Sequence, residues 1–318
     1  MTSNKTDNGK IAFVSSADHN YFPLLLEWVH SVRRFPQSKE MDICILNAGL
    51  KPEQVDRLKA EGCIVKDAQW PCPLPAYKIR GRDYLKSCIC RPFIPDYFPD
   101  YDTYFWMDAD TWIQKWDAVE MFLKGAAKGK IALTAQADRA YPRQIRIKWL
   151  WRLPFKLRGF YVSNIKKAFG FKKAKEIYAH HVLLAGAFAL RKDAPHWKRW
   201  QELLLQALKH GKIFTAEQLS LGILCYIEGY EREVLPAYTH WLCEFKPLWD
   251  TDKNMFVEPS LPHEEIGILH ISGWDDMRLD RSVKTDFDTM DGGKISLSYR
   301  YPYYDGKEQK EEQQATGT

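Results

Sequence analysis

Two periods of apolar and polar positions run along this chain, and the places where one gives way to the other outline its elements. Ile11–Ser15 is a short, β-branched apolar run preceded by polar residues and followed by Ser-Ala-Asp-His-Asn, which predicts a buried strand entering a loop. From Leu24 to Phe35 the apolar residues fall at helical spacing. Asp42–Leu46 predicts a second strand, Pro52–Glu61 a helix with proline in its first turn and Gly62 just past its end, and Cys63–Val65 a third strand. Strand and helix alternate twice within these opening residues, the pattern of an α/β domain on a mostly parallel sheet, where ligands sit at the carboxyl ends of strands.

Further along, Tyr84–Phe98 reads as a helical stretch interrupted by Pro92 and Pro95, and it leads into the segment Asp102–Gln114, a hydrophobic strand closed by Asp108 and Asp110. Lys130–Thr134, Val182–Leu190 and Ile266–Ile271 are further strands, and Pro195–His210 is a long amphipathic helix. A second helix starts at Thr215, whose hydroxyl caps it while Glu217 and Gln218 enter the first turn. Thr285–Tyr301 predicts a β-hairpin turning at Asp291-Gly292-Gly293, and the polar residues from Lys307 predict a disordered tail.

Composition narrows the class. The chain has 318 residues, 45% of them hydrophobic and 27% charged, which excludes wholesale disorder and a small disulfide-stapled scaffold. Its seven cysteines are odd in number and lack CxxC spacing, so reduced thiols of a cytosolic protein are expected rather than a zinc ribbon or a disulfide frame. The polar N-terminus and the lack of any apolar run near ~20 residues predict a cytoplasmic protein, peripheral to a membrane at most.

The net charge of +5 conceals an uneven distribution. Residues 139–176 hold twelve Lys and Arg, Arg143 among them, against the single acid Glu176, a net +11, so the rest of the chain carries −6. Interleaved apolar residues include Ile145, Ile147, Trp149, Leu150, Trp151 and Leu153. Cations beside exposed Trp and Phe suit an anionic membrane surface or an anionic acceptor; the plainer alternative is a packed helix pair with a solvated basic face. No nucleic-acid motif accompanies the charge, and nucleic acid is not expected as a partner.

Asp108 and Asp110 are the most informative residues. Two carboxylates at i and i+2 at the end of a buried strand oppose each other's ionisation unless a cation is shared, and oxygen ligands favour Mg2+ or Mn2+. The plainer alternative is a solvated acidic turn. With the other motifs added, the chain resembles the glycosyltransferases of the GT-A fold, and within them glycosyltransferase family 8. The likeness runs through IAFVSSADHNYF, the Cys90-Arg91-Pro92 step, YFWMDADTWIQ, LLAGAFAL, TAEQLSL and ILHISGW, in order, over most of residues 10–275.

The resemblance implies a Rossmann-like GT-A domain over 1–280 with a basic helical insert at 139–176, a hairpin extension at 281–306 and the tail 307–318. It implies Asp108, Asp110 and His270 as ligands of Mn2+ or Mg2+. Asp18, Asn20 and Tyr21 would hold the uridine of a UDP-sugar, Arg91 would reach its sugar and phosphates, and Ala109, Ala185, Gly186 and Gly273 would line the donor. Glu217 and Gln218 become the catalytic pair, Glu217 on sugar hydroxyls and Gln218 beside the anomeric carbon. The implied reaction moves a sugar from the nucleotide sugar to a glycan or lipid-linked, anionic acceptor such as an envelope glycan, with retention. Taken singly, His270 could be a structural histidine, Arg91 a surface cation, Glu217 an acid favoured by a helix dipole, and Asp18 and Asn20 turn formers.

Three positions depart from the family pattern: Asp276 replaces a lysine, for which Arg278 or a basic residue from elsewhere is the candidate substitute, and Leu184 and Gly222 replace polar residues. They support an alternative, a catalytically weak UDP-sugar-binding protein.

Overall fold

The computed structural model describes residues 9–141 and 146–302. The tail from Lys307, and Arg143 and Ile145 of the basic segment, lie outside them. The fold is mixed α/β, with a central, mostly parallel sheet flanked by helices. The chain packs as two compact units, each assembled from separate stretches: residues up to Ile11, Asp67–Trp106 and Phe122–Ala237 form one, and Ala12–Lys66, Met107–Met121 and Tyr238 onward form the other.

In the second unit the strand Ile11–Ala17 is buried along its whole length, as a continuous apolar run requires when both faces of a sheet are covered. It pairs in parallel with Asp42–Asn47, which is followed in the sheet by Cys63–Asp67. The helix Phe22–Arg33 begins with a proline in its first turn, and Pro52–Ala60 starts on Pro52, where the missing N–H costs nothing. Past its end Gly62 takes a φ of +78°. A smaller sheet places Ile268–His270 between Trp241–Leu242, parallel to it, and Thr111–Ile113, antiparallel to it.

In the first unit the strand order is Arg232–Leu235, Ile131–Ala135, Leu183–Arg191, Thr103–Met107. Ile131–Ala135 runs parallel to the first of these and antiparallel to Leu183–Arg191. The last pairing is irregular: Leu133 faces Phe188 and Thr134 faces Leu184, so Ala185-Gly186-Ala187 bulges out of register. The helices His196–His210 and Ile213–Gly222 pack together in this unit.

Three expectations are corrected. The basic insert is not wholly helical: Arg146–Leu150 and Leu153–Arg158 pair as an antiparallel hairpin before the helix Phe160–Ile177. Its alternation of Arg146, Ile147, Lys148 and Trp149 has the strand period of two, and Pro154 would break a helix interior. Thr215 is not a helix cap, because the helix starts two residues earlier at Ile213 and the Thr215 hydroxyl is buried without a hydrogen-bond partner. Tyr84–Phe98 breaks into the short turns Asp83–Lys86, Arg91–Phe93 and Ile94–Tyr97, since both prolines remove helical donors. The predicted hairpin is present as Thr285–Asp288 paired with Lys294–Leu297. Among the described residues no helix is long and apolar enough to cross a membrane.

Candidate active site

The strand Thr103–Met107 is fully buried, and the chain turns at its carboxyl end through Asp108-Ala109-Asp110. The turn is locked by Thr111, whose backbone N–H and hydroxyl both donate to the Asp108 carbonyl at 3.0 and 2.7 Å. Pairing of His270 with Thr111 across the small sheet then brings the imidazole beside Asp110. One ligand atom from each of Asp108, Asp110 and His270 lies within 4.8 Å of the others. Two carboxylates two residues apart thus meet a histidine far along the sequence, all within one unit.

The donor set fits a divalent cation: two carboxylates and an imidazole whose Nε2 faces Asp110 Oδ1 at 3.4 Å. Its other nitrogen, Nδ1, lies 3.0 Å from Nε2 of the buried His240, with the two rings stacked. Burial, and then His270, keep His240 well below the ordinary histidine range, so it is a neutral partner able to accept from His270. Outer-shell partners of this kind fix which nitrogen a metal meets. Burial alone would raise the Asp110 carboxyl, but His270 and Arg278 outweigh it and hold it below the usual carboxylate range. Burial lowers and Asp110 raises the His270 imidazole, and the net direction is upward.

Arg278 completes this cluster. It donates through Nη1 to Asp110 Oδ2 and to the Tyr21 hydroxyl, each at 3.2 Å, and through Nη2 to Asp275 at 2.6 Å. Its Nε is buried without a partner. The short helix Asp275–Leu279 that carries it is held from behind: buried Arg300 donates to the carbonyls of Met277 and Arg278 and grips the buried Glu27 carboxylate with Nε and Nη2 at 2.8 and 2.6 Å. Arg281 adds a further bond to Glu27 at 2.8 Å.

Arg278 therefore joins Tyr21 to Asp110, beside which Asp108 and His270 stand. Asp18 and Asn20 stand at the exit of the first strand, where Asp18 accepts from the backbone of Asn20 and Tyr21 and from the Asn20 amide, so it shapes the turn whatever else it does. Gly273 follows His270 with φ +77°, and a Cβ there would lie 2.9 Å from the Glu244 Cβ; glycine is required on both counts.

A separate constellation forms in the first unit. Arg91 Nη1 donates to Glu217 Oε2 at 2.6 Å, both side chains are largely buried, and the guanidinium lies over the Trp106 ring. Gln218 donates its amide N–H to the Leu183 carbonyl at 2.8 Å, which ties it to the strand whose bulge holds Ala185 and Gly186. His240, Arg278 in its full role, Arg300 and Glu27 were not legible as site residues. Only Glu27, an acid on the apolar face of a helix, left a trace in the sequence.

Residues 12–149 match Glycosyl transferase family 8. The match covers less than half of the chain. The fold is shared with the apo structure of the WbbM bifunctional glycosyltransferase, at a TM-score of 0.52 and 14% identity over 83% of this chain and 46% of that one, so this chain spans a little under half of that protein. The galactosyltransferase LgtC in complex with donor and acceptor sugar analogs superimposes at a TM-score of 0.48 and 12% identity, over 82% of this chain and 87% of that one. No curated protein sequence matches.

Against the family 8 pattern the departures acquire physical causes. Asp276 is exposed, whereas Arg278, two residues on, is the cation directed at Asp110. Gly222 faces the hydroxyl of the buried Tyr161, which would be 2.6 Å from any Cβ at that position. The same hydroxyl accepts from the Leu183 N–H at 3.2 Å.

Proposed function

We propose that the chain is a metal-dependent glycosyltransferase that moves a sugar from a UDP-sugar to a hydroxyl of a glycan or lipid-linked, anionic acceptor, with retention of configuration. The observation that carries this reading is the convergence of Asp108, Asp110 and His270 at the carboxyl end of a buried strand. Mn2+ or Mg2+ bound by these three side chains would supply Lewis acidity for the departing UDP. Arg278 places a fixed positive charge beside the same carboxylate and so takes the part of the family lysine that Asp276 lacks. Tyr21, held by Arg278, Asp18 and Asn20 would receive the uridine.

In the other constellation Glu217 neutralises Arg91 and orients its guanidinium, the role for which a buried pair at 2.6 Å is suited. With the Gln218 amide nitrogen engaged by Leu183, its carbonyl oxygen is the end that would stabilise an oxocarbenium-like centre during same-face attack. Ala109, Ala185, Gly186 and Gly273 would line the donor, small residues that leave their backbone groups for it. Seven free thiols suit a reducing compartment, so the work belongs to the cytoplasm, with the segment 139–176 meeting the inner face of a membrane.

A panel of UDP-sugars assayed for UDP release tests this. One donor should be hydrolysed slowly without acceptor in the presence of Mn2+, and Asp110→Asn should abolish the release. UDP-sugar binding with no release from any donor would instead favour the weakly active binding protein, and undiminished activity in Asp110→Asn would remove the metal assignment.

A further inference from the structure

We propose that the tip of the hairpin Arg146–Arg158 is a membrane-docking element that seats its apolar side chains in the interface of an anionic lipid bilayer. The strands close on the pair Leu150–Leu153, with Trp151 and Arg152 at the turn. Every residue from 147 to 154 is exposed. Trp151 is 95% exposed, Leu153 72%, Trp149 62% and Leu150 59%. Single exposed apolar residues are ordinary, but four large ones crowded at one turn form a patch that marks an interaction surface. Trp151 also takes a φ of +56°, a conformation that bulky side chains rarely adopt, so the turn accepts a backbone cost while presenting an indole at its apex.

The chemistry of the surroundings selects the partner. Lys148 and Arg152 are interleaved with the apolar residues, and no acid occurs between Arg139 and Lys175. The next helix, Phe160–Ile177, offers exposed Lys166, Lys167, Lys172 and Lys175. Trp rings settle at the level of lipid headgroups, and clustered Lys and Arg draw such a surface to anionic lipid. A protruding tip suits insertion, whereas recognition of a peptide needs a groove or an open sheet edge. A second copy of the chain would bring two segments of +11 together, which their repulsion opposes. Nucleic acid would satisfy the charge and leave the exposed Trp and Leu side chains unused.

This inference rests on the membrane contact proposed above for residues 139–176 and assigns it to the hairpin tip; it is tested without any activity, so its failure leaves the glycosyltransferase reading standing. The full chain should sediment with vesicles of phosphatidylglycerol in phosphatidylcholine, and sediment less as NaCl is raised. Trp149→Ser/Trp151→Ser should lower the partition coefficient roughly tenfold or more, while far-UV circular dichroism and melting temperature stay unchanged because both side chains are exposed. Brominated lipid should quench the tryptophan fluorescence of the wild type more than that of the variant. Equal binding to pure phosphatidylcholine vesicles, no binding to either vesicle, undiminished binding by the variant, or lipid-free self-association that the variant abolishes would each overturn the proposal.

Discussion

Single side chains decide the chemistry around Asp110. His240 meets the far nitrogen of His270 at 3.0 Å and so turns Nε2 toward Asp110. Replacing it with alanine should weaken Mn2+ binding by roughly tenfold to a hundredfold, measured by electron paramagnetic resonance of free Mn2+, while the fold is retained. His240→Asn, which can still accept from His270, should recover part of the loss. Arg278 is expected to behave differently: Arg278→Ala should leave Mn2+ binding intact or slightly tighter, because it removes a competitor for Asp110, but should weaken UDP binding. Arg278→Lys should restore the charge without the fork that reaches Asp110, Tyr21 and Asp275 together.

At the scale of elements, the C-terminal extension acts as a brace for the site. Arg300 joins the helix Phe22–Arg33, through Glu27, to the short helix that carries Arg278. Arg300→Met leaves a buried carboxylate with Arg281 alone and should cost about 3 kcal/mol or more in chemical denaturation, and the paired change Glu27→Leu/Arg300→Met should recover much of it. Gly273→Ala should cost about 1–3 kcal/mol, since it combines a left-handed backbone with a contact on Glu244. Some of this architecture was open to reading from the sequence. The early strands, the helix Pro52–Ala60 and the hairpin at 285–297 follow from apolar period and turn residues, which are local signals. The Asp-x-Asp turn was legible because burial and like charge conflict at i and i+2. The brace and the His240–His270 contact depend on partners 273 and 30 residues apart, and no local pattern encodes such a pairing. The basic insert misled for a different reason: its strand alternation covers only a few residues before the helical period resumes, and a strand-to-helix change so short is masked by the uniform positive charge.

For the molecule as a whole, burial leaves a signature in its thiols. Cys63, Cys90 and Cys225 are each pushed up to about 12 by burial, and burial drives Cys243 well above the ordinary thiol range. Five of the seven cysteines are buried, so a thiol reagent at pH 8 should modify only Cys72 and Cys88 quickly and the remainder after unfolding. The same shift makes stability depend on pH. A thiol whose folded pKa lies above its unfolded value of 9.0 contributes stability that is complete below pH 9 and is lost as pH rises toward 12. Each of these three should cost about 1.4 kcal/mol at pH 10, so the melting temperature should fall between pH 8 and pH 10, and Cys225→Ala should lessen that fall.

The most direct test of the central claim, that Asp108, Asp110 and His270 hold a divalent cation which in turn binds the diphosphate of a nucleotide sugar, is calorimetric titration of UDP into the chain with and without Mn2+. Wild-type protein should bind UDP at least roughly tenfold more tightly with Mn2+ present, as metal-assisted phosphate binding requires, and Asp110→Asn should show the weak, metal-independent affinity in both conditions. Equal affinity with and without Mn2+ in the wild type, or a metal effect that survives in Asp110→Asn, would contradict it.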